Sequence, residues 1–120
     1  MGFTQYGRMV EKARGAEARA ILGDMRKLAI AYRLANGSIT GITNANLNVG
    51  TGADQIPGPT FCRSTHYFKY SRTILADPII QLNANRCYGG LGKPPNGVAG
   101  MNLTLQTNLV TGEDVWTGEY

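Results

Sequence analysis

The chain has little histidine and little cysteine: one histidine, His66, and two cysteines, Cys62 and Cys87, among 120 residues. A single histidine excludes a metal centre built from several histidines. The sequence also contains no CxxC pair, the spacing that would indicate a zinc site. The two cysteines are compatible with one disulfide in an oxidising compartment, or with two buried thiols. The sequence therefore predicts neither a metal nor a cofactor.

Long apolar runs are also missing. No stretch of about 20 apolar residues occurs, so no transmembrane helix is predicted within these residues, and no secretory signal peptide is recognisable. A length of 120 residues predicts a single domain. The 16 glycines favour a loop-rich α+β domain over a helical bundle.

No constellation of catalytic residues is apparent. His66 has no partner carboxylate identifiable in the sequence, and its aromatic surroundings favour a packed or surface role. The adjacent Glu113 and Asp114 fall in a predicted turn and offer too few acidic oxygens for calcium. The glycine- and proline-rich loop around Lys93 is not a phosphate-binding loop, because proline follows the lysine. We therefore predict that the protein is not an enzyme.

The first third of the chain is typical of one long helix, predicted from about residue 4 to residue 36 with Thr4 as N-cap. Residues 10–34 contain no proline and are rich in good helix formers. Apolar side chains recur there at steps of three and four, as on one helix face: Ala18, Ile21, Leu22, Met25, Leu28, Ala29 and Tyr32. Residues 8–20 carry few large apolar side chains, so we expect the first half of the helix to protrude from the core.

The net charge of +4 is located entirely in this helix, because residues 1–34 carry seven basic and three acidic side chains and the remainder five of each. The basic charge of this helix is compatible with binding to nucleic acid or to an anionic membrane surface. We favour two other interpretations of this charge. The basic residues lie either on a hydrated face with ion pairs such as Glu11–Arg14 or on a surface that contacts another protein. Gly7, Gly15 and Gly23 recur every eighth residue, which would let a neighbouring helix approach closely.

The helix is predicted to end at Asn36-Gly37, since both residues accept the left-handed conformation of a helix C-terminus. Residues 37–59 form a long polar loop, of a length that is often functional. Isolated apolar side chains are expected to hold it against the core: Ile39, Ile42, Leu47, Val49 and Ile56.

Residues 60–120 are predicted to form an antiparallel sheet of three to four strands. Apolar and polar residues alternate in residues 60–73, 79–87 and 101–110, and a short strand starts at Val115. The aromatic residues of this region are expected in the core or on the sheet surface. If the first two strands form a hairpin that turns near Leu75–Asp77, Cys62 comes close enough to Cys87 for a disulfide.

This layout resembles the globular part of a bacterial type IV pilin or pseudopilin. The resemblance is carried by Gln5-Tyr6, by residues 10–37, by Cys62 and Cys87, and by the alternating strand followed by Thr111-Gly112 and Trp116. In this family a mature N-terminus beginning Phe-Thr-Leu-Ile-Glu leads an apolar helical segment that often ends in Pro-Gln-Tyr. Here Phe3-Thr4 runs directly into Gln5-Tyr6, as expected of a soluble, truncated pilin whose Met1 and Gly2 are vector-derived.

The resemblance implies a pilin-like α+β fold, in which a four-stranded antiparallel sheet lies on the C-terminal half of the helix. It implies a structural subunit of a type IV pilus, which forms a homo-oligomeric helical filament with other pilin subunits. Before assembly the missing N-terminal segment would anchor it in the inner membrane, and afterwards it would be extracellular. The residues expected to face neighbouring subunits are Arg8, Glu11, Lys12, Arg14, Glu17 and Arg19.

Two alternatives stay open within the same family. A pseudopilin of a type II secretion system would form a short periplasmic filament from the same parts. A DNA-binding minor pilin would use basic residues interleaved with aromatics around the cysteine-bounded strands: Arg63, Lys69, Arg72 and Arg86. DNA binding of that kind would be strongly salt-dependent.

Overall fold

The computed structural model describes residues 2–42, 44–47, 62, 66–88, 101–118 and 120, with the backbone alone for residues 2–10, 44 and 45. Its elements are helix α1 (Gly2–Asn36), a 3₁₀ turn (Asn44–Leu47), β1 (Phe68–Ile74), β2 (Ile79–Arg86), β3 (Asn102–Asn108) and β4 (Asp114–Gly118). One N-terminal helix packs against a four-stranded antiparallel sheet, which confirms the predicted α+β class.

Helix α1 is close to its predicted bounds. It begins at Gly2, so the prediction of Thr4 as N-cap is wrong, because Thr4 lies inside the helix. It ends as predicted: Gly37 has φ of 82° and donates its N–H to the carbonyl of Arg33 at 2.7 Å. At 1.5 Å per residue its 35 residues span roughly 52 Å, which equals the longest dimension of the molecule, 52 Å.

The apolar face of α1 is the predicted one. Ala18, Leu22, Met25 and Ala29 are fully buried, and Ile21, Leu28 and Tyr32 pack beside them half-buried. The expectation that the first half of the helix protrudes is wrong from Glu11 onward, because Gly15 is buried and Glu11 is half-buried against the sheet. Residues 2–10 continue the helix by about 14 Å beyond Glu11.

The sheet is an up-and-down meander of order β1-β2-β3-β4. The β1–β2 turn lies where it was predicted, with the N–H of Ile79 donating to the carbonyl of Ala76 at 2.8 Å. The predicted start of the first strand at Thr60 is wrong for residues 66 and 67, which precede β1. Residues 60, 61 and 63–65 lie outside the described residues.

One core lies between the helix and the inner face of the sheet. Every second strand residue points into it, as the alternation predicts: Phe68, Tyr70, Ile80, Leu82, Ala84, Leu103 and Leu105 are buried. The loop residues Ile39, Ile42 and Leu47 are buried as well. Val49 and Ile56, which were predicted to act with them, lie outside the described residues.

Cys62 and Cys87 form the disulfide that the hairpin predicts. Their Cα atoms are 5.9 Å apart, and 25 positions separate them in the chain. Cys87 is fully buried, and its N–H donates to the carbonyl of Tyr67 at 2.9 Å. The crosslink therefore ties the segment before β1 to the end of β2.

Candidate functional site on the long helix

A buried ion pair joins the first half of α1 to the end of β2. The side chain of Arg86 is 0% exposed and that of Glu11 is 20% exposed, and Nε of Arg86 donates to Oε2 of Glu11 at 2.8 Å. Nη1 of Arg86 donates to the carbonyls of Tyr67 at 3.0 Å and Cys87 at 3.2 Å. The guanidinium also lies 5.2 Å from the centroid of the Tyr67 ring. These contacts offset the cost of burying the charge.

Tyr120 encloses this ion pair from the other side. Its hydroxyl donates to the carboxylate of Glu11, and its ring packs edge-on against Phe68 with centroids 5.0 Å apart. Burial alone would raise the pKa of Glu11, but hydrogen bonds from Arg86, Tyr120 and Arg14 outweigh it and hold the pKa below its ordinary value. Burial and the neighbouring Glu11 raise the pKa of Tyr120, so the phenol stays a donor.

Gly15 is the residue that lets Tyr120 lie against α1. A Cβ atom built on Gly15 would stand 2.7 Å from Cδ1 and 3.0 Å from Cβ of Tyr120. A Cβ atom on Gly23 would meet nothing within 4 Å. At Gly15 the space expected for a neighbouring helix is therefore filled by a side chain of the same chain.

Replacing each of the two glycines by alanine is expected to change the free energy of unfolding in opposite directions. Gly23→Ala is expected to raise the free energy of unfolding by about 1 kcal/mol, the usual helix-propensity difference. Gly15→Ala is expected to lower it by about 1 kcal/mol, because overpacking against Tyr120 exceeds the propensity gain. Urea denaturation at neutral pH measures both, and each variant is the control for the other. Equal stabilisation by the two substitutions would contradict the contact between Gly15 and Tyr120.

Glu17 holds the next turn of the helix to β1. Its carboxylate accepts the hydroxyl of Tyr70 at 2.8 Å and the N–H of Tyr67 at 3.1 Å. Burial, followed by the charge of Glu17, raises the pKa of Tyr70 well above its ordinary value. The phenol is thus a permanent donor to Glu17, and this acidic side chain serves the fold of its own chain.

Two arginines connect α1 to the edge strand β4 and the residues after it. Arg19 donates from Nη2 to the backbone oxygen of Tyr120 at 2.6 Å, and its guanidinium lies 4.9 Å from the ring centroid of Trp116. Arg26 donates from Nε to Oδ1 of Asp114 at 2.9 Å. These contacts hold β4 to the helix, although all five of its residues are exposed.

The opposite side of α1 faces solvent and carries mainly small side chains. Its exposed residues recur at steps of three and four and so form one stripe along the helix. We call this the outer stripe, and it consists of Ala13, Ala16, Ala20, Asp24, Lys27, Ala31 and Ala35. Five of its members are alanines, which permit a short distance to the axis of a second helix.

The six residues predicted to face neighbouring subunits do not share one surface. Glu11, Arg14 and Glu17 are half-buried and contact the sheet side of the molecule. Lys12 is exposed, and Arg19 is exposed although it reaches Tyr120. Of Arg8 only the helical backbone is described. A role of these six in subunit contacts stays a prediction.

The basic residues considered for DNA binding are also dispersed. Lys69 points to the outer face of the sheet, whereas Arg86 is buried on the inner face and paired with Glu11. Arg72 points inward and donates from Nε to the carbonyl of Ile42 at 3.0 Å. Arg63 lies outside the described residues.

The predicted pair of Glu11 with Arg14 is confirmed, with Nη1 of Arg14 donating to Oε1 of Glu11 at 3.0 Å. Sequence reasoning missed the partners of Glu11 that lie far away in the chain. Arg86 occupies the next inward position after Ile80, Leu82 and Ala84, so the alternation of β2 places an arginine in the core, where it requires a carboxylate. That signal was present in the sequence. Nothing comparable indicates Tyr120, which lies 109 positions from Glu11.

Within the described residues, no helix is both long and apolar enough to cross a bilayer. Nor do three histidine, cysteine or acidic side chains converge in this part of the chain as a metal ion would require. Comparison of the chain with protein-family models, with curated proteins and with solved structures finds no match.

Proposed function

We propose that the chain is a structural subunit of a type IV pilus, which assembles through its N-terminal helix into a homo-oligomeric filament. The observation that carries the proposal is that α1 uses one face for its own sheet, while the outer stripe stays exposed from Ala13 to Ala35. If this stripe contacts a different surface of the next copy, the contact does not close on itself. Such heterologous contacts produce open helical filaments.

The extension of α1 beyond Glu11 supports the same proposal. Residues 2–10 form about two and a half helical turns, and most of the stability of helices in proteins comes from tertiary packing rather than from propensity. Helices of neighbouring subunits would supply that packing in a filament. In this proposal a preceding apolar segment anchors the subunit in the inner membrane before assembly, and the filament is extracellular.

Two arginines on the outer stripe provide the test. We expect the variant Ala16→Arg/Ala20→Arg, introduced in the chromosomal gene, to abolish surface filaments, because long charged side chains prevent helices from approaching. The isolated chain should keep its stability within about 0.5 kcal/mol, since both sites are exposed and arginine is a good helix former. Immunogold electron microscopy and thermal unfolding measure the two effects.

Ala76→Arg is the matched control, because Ala76 is an exposed alanine in the β1–β2 turn and is not part of the outer stripe. It should leave filaments intact. Lys12→Glu tests the predicted charged contacts without touching the Glu11–Arg86 pair. Normal filaments in the double variant would refute the role of the outer stripe. Gold labelling confined to the cell envelope in the unsubstituted strain would contradict the pilus and favour a short periplasmic pseudopilus.

A further inference from the structure

The face of the sheet that points away from α1 carries almost no charge. Strand register assigns thirteen described residues to this outer face, and all are partly or fully exposed. Two are apolar, Ile79 and Val115, and one is charged, Lys69. The other ten carry hydroxyl or carboxamide groups: Ser71, Thr73, Gln81, Asn83, Asn85, Asn102, Thr104, Gln106, Asn108 and Thr117.

These groups stand in rows that cross the strands. Ser71, Asn83, Thr104 and Thr117 are register partners in one row. Asn83 donates from Nδ2 to Oγ1 of Thr73 at 3.4 Å and accepts from Oγ1 of Thr104 at 3.3 Å. Its carboxamide is therefore oriented by neighbours on both adjacent strands.

Two depressions lie on this face, one towards each end. One, of about 230 Å³, is bordered by Lys69, Ser71 and Asn85. The other, of about 40 Å³, is bordered by Ile79, Gln106, Thr107, Asn108 and Val115, and by the acidic Glu113 of the turn before β4. The rows of Asn85 and Gln81 are four residues apart along β2, which corresponds to about 13 Å. An extended ligand would reach both depressions at once.

We propose that this outer face binds a neutral oligosaccharide. A sugar hydroxyl that leaves water must regain both a donor and an acceptor, or its desolvation is not offset. A carboxamide supplies both from one side chain, and five of them, at positions 81, 83, 85, 102 and 106, lie on three of the four rows. The surface is thus suited to a ligand that is polar, flat and uncharged.

The low charge of this face argues against binding of charged polymers. A nucleic acid or a sulfated polysaccharide would need several cations to replace its counterions, and Lys69 is the one cation among the outer-face residues described above. An apolar partner would remove water from the carboxamides without replacing the hydrogen bonds that the water makes. The glycan proposal does not depend on filament formation, although many copies along a filament would raise the avidity.

The test is an NMR titration of the isotope-labelled 120-residue chain. The probes are linear hexasaccharides of glucose, mannose, galactose and N-acetylglucosamine, with a sulfated hexasaccharide as the charged comparison. We expect saturable shift changes confined to the outer face with at least one neutral probe. The isosteric variant Asn83→Asp/Asn85→Asp should bind that probe about tenfold more weakly, as expected when hydrogen bonds to the sugar are lost.

Asn36→Asp is the matched control, because it makes the same chemical change at the exposed end of α1 and should bind like the unsubstituted chain. Gln106→Glu, at an exposed outer-face position, replaces the double variant if that variant does not fold. The proposal is overturned if no neutral probe binds, if the sulfated probe alone binds, or if the face variants bind unchanged. Concentration-dependent shifts of the same residues without glycan would assign the face to a second copy instead.

Discussion

Replacing Glu11 by alanine should lower the free energy of unfolding at neutral pH by about 3 kcal/mol, because it leaves a buried charge without its counterion. The side chain of Arg86 has no exposed area while Glu11 is in place, and in the variant its guanidinium keeps the carbonyl acceptors of Tyr67 and Cys87 but no carboxylate. The Tyr120 hydroxyl loses its acceptor on Glu11 in the same variant. Urea denaturation followed by circular dichroism measures the loss.

Replacing both partners together separates the ion pair from its surroundings. Glu11→Leu/Arg86→Met should be more stable than Glu11→Ala, since apolar side chains of similar size remove the desolvation penalty together with the attraction. Lys12→Ala is the matched control on the adjacent, exposed position and should change stability by less than about 0.5 kcal/mol. If Glu11→Ala cost no more than Lys12→Ala, the ion pair would not contribute to stability.

The pH dependence of stability tests whether the carboxylate of Glu11 is the source of the stabilisation. The pKa of Glu11 is lowered below its ordinary value of 4.5 in the folded protein. A lowered carboxyl pKa contributes stability that is fully present above the unfolded-state pKa and is lost as the pH falls through the folded-state pKa. The stability difference between the unsubstituted chain and Glu11→Gln should therefore be constant above about pH 5 and shrink on further acidification.

The parts of the fold that follow from local periodicity could be predicted from the sequence. The positions of Leu22 and Met25 at helical spacing, and of Leu103 and Leu105 at strand spacing, are enough to place them in a core. The end of α1 at Gly37 and the hairpin turn before Ile79 follow from local residue chemistry in the same way. Errors occurred at element ends, where Thr4 and the residues before Phe68 carry no decisive signal.

The contacts between α1 and the sheet could not be predicted, because they join residues far apart in the chain. Glu11 and Arg86 are 75 positions apart, and Glu17 and Tyr70 are 53 apart. Charged residues in the first half of the helix indicated an exposed surface, since composition does not distinguish a hydrated carboxylate from one that pairs with a buried arginine. The candidate surface for subunit contacts is consequently the alanine-rich stripe on the opposite side of the helix.

The two proposed surfaces do not compete for the same residues. The outer stripe belongs to α1, and the neutral face belongs to the side of the sheet that α1 does not cover. In a filament whose helices pack inward, the outer face of each sheet would point outward. The same arrangement of one helix on one sheet would thus provide one face for the proposed assembly and a separate face for the proposed ligand.

Loss of the disulfide is expected to be as costly as loss of the ion pair. Cys62→Ala/Cys87→Ala should lower the free energy of unfolding by about 3 kcal/mol, because the crosslink spans 25 positions and restricts the unfolded chain. Alanine is chosen because Cys87 is fully buried and a serine hydroxyl there would add a desolvation cost of its own. Urea denaturation of the variant, and of the unsubstituted chain with and without reductant, measures the effect.

The two losses should not be additive, because Cys87 follows Arg86 directly and its carbonyl accepts a hydrogen bond from that guanidinium. Without the crosslink the end of β2 is less constrained, so the buried charge can reach water at a lower cost when Glu11 is removed. Glu11→Ala should therefore destabilise the cysteine-free chain by about 1 kcal/mol less than it destabilises the disulfide-bonded chain. Strict additivity would mean that the disulfide acts on the unfolded chain alone and does not hold Arg86 in place.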